Sequence, residues 1–308
     1  MLRYVAYRLL AAIPVLIGVS FVVFFMLRLV PGDPIRLMFV NQPQPSAERV
    51  EEMRHQLGLD LPVWRQYLRY MGNLLQGDLG YSYRSRLPVG PEIIKRLPNT
   101  IKLASAGLAI AVVIGLFAGI ISAAFRGRWL DRGLMLFTVL GISVPGFWLG
   151  MMIMLIFGVQ LRWFPVSGAD TWQQLVMPAF TLGIGAAAVL ARLTRANLLE
   201  AMSQEYIRTA RAKGLSNSSV IWRHGLRNAL IPIVTIIGLM IGGLLSGAFI
   251  IESLFAYPGV GELAVKSIQA RDFPMVQGVV LFVATCYVLV NIVTDVIYGF
   301  LDPRIKYS

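Results

Sequence analysis

The stretch "LLAAIPVLIGVSFVVFFML", residues 9–27, contains one polar residue, Ser20. A bilayer core of about 30 Å takes roughly 20 such residues in a helix. Four further runs have the same character: residues 103–125, 133–159, 229–251 and 276–300. A shorter one rich in Gly and Ala covers residues 175–191. Six transmembrane helices, and an all-α membrane protein, are therefore expected. Composition agrees: 14% of the 308 residues are charged, against roughly a quarter in soluble domains. Arg3 and Arg8 precede the first run, as they would in a signal peptide. The run is too long for a signal core, however, and "LRLVPGDP" offers no small-x-small cleavage site, so it reads as a retained span.

The net charge of +12 has a membrane explanation, which removes nucleic acid as an expected partner. Basic residues collect before the first run (Arg3, Arg8) and between the second and third (Arg126, Arg128, Arg132). They recur between the fourth and fifth (Arg192, Arg195, Arg208, Arg211, Lys213, Arg223, Arg227) and after the sixth (Arg304, Lys306). The alternate short loops hold only Arg162, Lys266 and Arg271. The asymmetry predicts both termini in the cytoplasm. Residues 31–98 then lie outside. There Ser46 stands as a helix N-cap with Gly58 as the stop, and a second helix begins at Pro62 and ends at Gly77. Trp64, Tyr67, Leu68, Met71 and Leu75 form its apolar stripe, suited to a local core or the membrane interface.

Catalytic patterns are absent from the sequence. His55 and His224 fall on opposite sides in this topology, and Cys286 lies alone in an apolar run. There is no His-Glu-x-x-His, no G-x-S-x-G elbow and no G-x-x-x-x-G-K-[ST] loop; Lys213 is followed by Gly214, with no Ser or Thr to hold magnesium. Asp295, near the end of the last run, reads as a structural hydrogen bond or salt bridge, with an ion relay as the alternative. Gly115/Gly119, Gly238/Gly242 and Gly243/Gly247 have the spacing that lets helices approach closely, within this chain or against a partner. Pro145 should break or kink the third span.

The remaining feature is "EYIRTARAKGLSNSSVIWRHGLRNA", residues 205–229, between the fourth and fifth spans. Tyr206, Ile207 and Ala210 fall on one helical side and Arg208, Arg211 and Lys213 on another. Gly214 ends that helix, and "SNSS" supplies a cap for a second one carrying Val220, Ile221 and Trp222. An interfacial helix on anionic lipid and a docking hairpin for a cytoplasmic protein both fit.

This segment resembles the cytoplasmic EAA loop of binding-protein-dependent ATP-binding-cassette (ABC) importer permeases, through the small residues Thr209 and Ala210 and then Gly214. Arg208 replaces the motif's usual glutamate, and Leu226-Arg227 its leucine-proline. Those departures fit the dipeptide/oligopeptide branch. "MLRYVAYRLL", "RLVPGDP", "LGLDLPVWRQYLRY", "QGDLGYS", "VPGFWLGMM", "FAYPGVGELAVKSIQARDFPMVQG" and "YGFLDPRIKYS" extend the resemblance over nearly the whole chain.

The resemblance implies a type I ABC importer permease fold in the cytoplasmic (inner) membrane of a prokaryote. Residues 1–30 would form the first span, 31–98 the outer helical segment, and 99–308 a five-helix core with a coupling loop at 196–228. Tyr206, Thr209, Ala210, Arg211, Ala212, Lys213, Gly214 and Leu215 would engage a cytoplasmic ATPase. A second homologous permease, two ATPase subunits holding ATP and magnesium, an extracytoplasmic substrate-binding protein and membrane lipid are the implied partners; no cofactor is expected on this chain. Di- or oligopeptides are the expected substrate, with nickel or glutathione as alternatives. A passive channel or a membrane-embedded enzyme is the reading from another class. Ser143, Pro145, Phe147, Thr235 and Gly238, chosen from helix breaks and small residues, are expected along the translocation path.

Overall fold

The first apolar run forms most of helix α1, Leu2–Arg28, in the computed structural model. The structure describes the backbone of residues 2–30, 35, 39, 45–56 and 58–301, with the side chains of residues 2–5, 217, 231, 295 and 297–301 excepted. Two short helices follow, α2 (Ala47–Gln56) and α3 (Val63–Leu75). Next come α4 (Val89–Ala124), α5 (Trp129–Ser143), α6 (Gly146–Ile153) and α7 (Trp172–Met202). The chain continues through α8 (Glu205–Ala212), α9 (Leu226–Leu254), α10 (Val260–Gln269) and α11 (Phe273–Leu301). The β-structure among the described residues is one isolated bridge, Tyr81 to Pro88.

Five of these helices are long and apolar enough to cross a membrane: α1, α4, α7, α9 and α11. The expected third span is not one rod. Helices α5 and α6 meet at a bend of 103°, where Pro145 stands immediately before α6 with extended backbone. Pro disfavours helical geometry in the residue before it, here Val144, and Val144 closes α5 at ψ 125°. Helix α6 then widens into a π-helical stretch, Met154–Gln160. Counted as one broken span, the pair brings the total to six.

Contacts divide the chain into two units, Met1–Pro98 with Gly259–Ile292, and Asn99–Pro258 with Val293–Ser308. In the first, Val89 and Ile93 of α4 pack with Val260 and Leu263 of α10 and with Met275 and Val279 of α11. Arg96 binds the buried Glu262 at 2.7 Å, Lys266 pairs with the same carboxylate, and Ser82 hydrogen-bonds Asp272. The turn signals expected between residues 46 and 77 are present: Ser46 Oγ accepts the Arg49 N–H at 3.3 Å, and Gly58 and Gly77 have φ of +67° and +80°. Pro62 is the cap of α3 rather than part of its first turn. The expected stripe is half right. Tyr67 packs on Phe21, Phe24 and Phe25 of α1, and Tyr70 on Phe24, with Ser20 Oγ 3.0 Å from the Tyr67 hydroxyl. Trp64, Leu68 and Leu75 are exposed, because α1 takes the face centred on Tyr67 and Tyr70.

The second unit is built around α7, whose Ala187, Ala188, Leu190, Ala191 and Leu198 are buried. Its small residues explain why it reads weakly as a span: they serve close packing more than lipid contact. A capping box formed by Thr171 and Gln174 starts it. The Gly115/Gly119 pair of α4 lies against α7. A Cβ on Gly119 would sit 2.6 Å from Ala191 O and from Thr194 Cβ, and one on Gly115 2.9 Å from Ala187 O. Gly119→Val is therefore expected to drive the helices apart at a cost of about 3 kcal/mol or more, read as loss of folded protein in detergent extracts. Gly238 and Gly247 meet only Thr294 and Leu182 side chains, at 3.3 Å, and nothing lies within 4 Å of a Cβ on Gly243. Tight approach is thus found at the Gly115/Gly119 pair.

Candidate functional site

Helix α8 is eight residues long and has two faces. Ile207 and Ala210 are buried, joined by Val220 and the half-buried Met202. At its end the Gly214 N–H donates to Arg211 O at 2.9 Å and the Leu215 N–H to Ala210 O at 3.4 Å. Gly214 has φ +77°, and nothing lies within 4 Å of where its Cβ would be. Glycine is thus required there by backbone geometry and not by space. Ser216 reverses the chain: its Oγ accepts the Ser219 N–H at 3.3 Å and its carbonyl the Val220 N–H at 3.0 Å. A π-helical turn, Val220–Gly225, leads into α9. A Cβ on Gly225 would lie 2.7 Å from Met202 Sδ, so the returning arm is pressed onto the end of α7.

The result is a hairpin whose arms continue into α7 and α9. Arg208, Thr209, Arg211, Ala212, Lys213 and Gly214 are exposed around its corner, with Tyr206 39% and Leu215 40% exposed. Arg208, Arg211 and Lys213 make no ion pair among the described residues. Two expectations need correction. Ala210, predicted to touch a partner, is 5% exposed and packs inside this chain. Tyr206, placed with the apolar side, faces outward because the Ile207–Ala210–Val220 cluster closes without it.

The residues chosen for a translocation path fall in two places. Ser143, Pro145 and Phe147 are exposed at the bend between α5 and α6. Thr235 and Gly238 are half-buried in the first half of α9. A Cβ on Gly150 of α6 would meet Leu254 and Phe255 at the far end of α9, about 24 Å along that helix from Gly238. That contact does not join the two groups. The side chain of Asp295 lies outside the described residues.

Sequence reasoning passed over a buried, fully bonded charge. Asp131 accepts from Arg195 Nε at 2.8 Å and Nη2 at 2.9 Å, from the Gly127 N–H at 2.8 Å, and from Ser122 Oγ. One carboxylate thereby ties the end of α4, the start of α5 and the middle of α7. Glu252 was also missed: the predicted span stopped one residue short, whereas α9 runs to Leu254 and buries Glu252 completely. Tyr257, in the turn that follows, is buried beside it, and desolvation and then the Glu252 charge raise its phenol pKa.

The described residues are mainly helical, with one broken span and an exposed hairpin joining two spans. Solved structures share that fold. The MetNI methionine ABC transporter, in an inward-facing conformation, matches at TM-score 0.56 and 18% identity over 68% of this chain and 96% of that one. An amino acid ABC transporter solved with histidines matches at TM-score 0.54 and 17% identity, over 70% and 95%. The chain belongs to the binding-protein-dependent transport system inner membrane components: that family matches residues 115–307, and its N-terminal counterpart residues 1–104. The glutathione transport system permease protein GsiC of Escherichia coli K12 is 46% identical over the full length of both chains, as is its counterpart in Shigella dysenteriae.

Proposed function

We propose that this permease imports a short peptide, with glutathione (itself a tripeptide) as the leading member, using ATP hydrolysed on partner subunits. The 46% identity to glutathione permeases over all 308 residues carries the substrate reading. The same reading places both termini and the 205–215 hairpin in the cytoplasm, as the Arg and Lys asymmetry supports. Two ATPase subunits and a second, homologous permease complete the assembly, and an external binding protein delivers the peptide.

The chain contributes transmission rather than chemistry. Its hairpin is clamped by Met202 against Gly225 and by Ile207 and Ala210 against Val220. A push on its exposed corner is therefore passed to the ends of α7 and α9 without being absorbed in a soft loop. Both helices continue into the buried core of the second unit, where Leu190 and Leu198 of α7 meet Ala229 and Ile233 of α9. ATP-driven closure of the partners would favour one arrangement of those helices by its differential contact with the hairpin.

Proteoliposomes holding the chain with its partner subunits and binding protein test the assignment. Saturable, ATP-dependent glutathione uptake, competed by other tripeptides and not by nickel, is the expected result. Uptake of nickel alone would reassign the substrate. Flux without ATP through the purified chain would make it a channel.

A further inference from the structure

The first unit contains a cleft of about 940 Å³ that coupling to an ATPase does not use. Arg28, Arg69, Arg86, Tyr70, Tyr83 and Gln277 are in its wall, and Asp78 is the one acid among the described lining residues. Asp78 accepts the Gly80 N–H at 2.8 Å and makes no ion pair among the described residues.

Arg49, also in the lining, pairs with Glu52, whereas Arg28, Arg69 and Arg86 make no ion pair among the described residues. Arg28 donates from Nε and Nη2 to the neutral Gln66 Oε1, at 3.3 and 3.0 Å, and lies 3.5 Å over the Phe24 ring. Its guanidinium is thereby fixed in orientation while its charge is met by no carboxylate. Arg69 and Arg86 are exposed at the rim and make no ion pair among the described residues. Gln277 is 8% exposed, and its Nε2 is buried without a hydrogen-bond partner. Folded proteins seldom leave such a donor unmet. The two phenols are neutral at pH 7 and each has an O–H to donate. Desolvation, then Tyr67, pushes Tyr70 up to about 12. Desolvation also raises Tyr83, with Arg28 opposing it and Asp272 adding to it.

We propose that this cleft binds an oxyanion, a phosphate or carboxylate, held by Arg28 and the Gln277 amide with Arg69 and Arg86 at the mouth. Fixed guanidinium and amide donors suit such a group. Arg28 is the last residue of the α1 span, so the cleft opens where that helix leaves the membrane. A phospholipid headgroup and the carboxylate of a soluble peptide both reach that level.

The test uses the full chain with its partner subunits in nanodiscs. Phosphatidylglycerol retention is counted by native mass spectrometry from discs of phosphatidylcholine with one fifth phosphatidylglycerol. Glutathione binding is measured by calorimetry in discs of phosphatidylcholine alone. Wild type is compared with Gln277→Met and with the Arg69→Ala/Arg86→Ala double variant, whose exposed positions leave folding intact. One probe or both should bind, with affinity falling in Gln277→Met and falling at least about tenfold in the double variant, the scale of a lost charged hydrogen bond. It should also weaken with added salt. Loss confined to phosphatidylglycerol identifies a lipid site, and loss confined to glutathione a solute site. Absence of binding by both probes, or binding that the double variant leaves unchanged, overturns the proposal. The outcome is independent of transport, which the uptake assay reads separately.

Discussion

Asp131→Ala should destabilise the permease by about 3 kcal/mol, the lower end of what removing one partner of a buried ion pair costs. The carboxylate has four donors, and its removal leaves Arg195, Ser122 and the Gly127 N–H without their acceptor. The lower end applies because the Arg195 side chain is 26% exposed and recovers some hydration. The affected elements are the end of α4, the start of α5 and the middle of α7, so the loss should be global rather than local. Thermal unfolding of the purified complex reads it. A double variant, Asp131→Leu with Arg195→Met, should recover much of the loss, since well-packed apolar pairs often match buried ion pairs in stability. An unchanged midpoint in the single variant would show that the pair holds nothing together.

The second large effect is on activity. Ala212→Glu and Leu215→Glu put a negative, bulkier group at the exposed corner of the hairpin without touching the Ile207–Ala210–Val220 cluster. Uptake and substrate-stimulated ATP hydrolysis should each fall at least about tenfold, the equivalent of 1.4 kcal/mol of lost contact, while membrane level and thermal midpoint stay at wild-type values. Ala210→Arg is a poorer probe. The buried Ala210 would disrupt the hairpin itself, and a loss of transport there would not separate docking from misfolding.

Local chemistry was readable from the sequence. The spans, the break at Pro145, the left-handed glycines at positions 58, 77 and 214, and the caps at Ser46 and Ser216 all depend on a few neighbouring residues. Pairings set by tertiary packing were not. Asp131 and Arg195 are 64 residues apart, Arg96 and Glu262 166, and Ser82 and Asp272 190. Nothing in the sequence around any of them names its partner. Helix faces were legible only where a neighbour's position was not needed. The α3 stripe contains Trp64 and Leu68 as well as Tyr67, and only the docking of α1 decides which are covered. Tyr206 fails for the same reason: it adjoins Ile207 on a short helix, and the returning arm stops short of it.

Site-directed photocrosslinking in the assembled complex reads whether the 205–215 hairpin docks on the ATPase subunit. Cys286 is the single cysteine, so Cys286→Ala gives a clean background for Leu215→Cys labelled with a benzophenone maleimide. The same label at Trp64→Cys, on the exposed face of α3 in the first unit, serves as the control. An adduct is expected between position 215 and the ATPase subunit, and none with that subunit from position 64. No ATPase adduct at 215, or equal adducts from both positions, would contradict it.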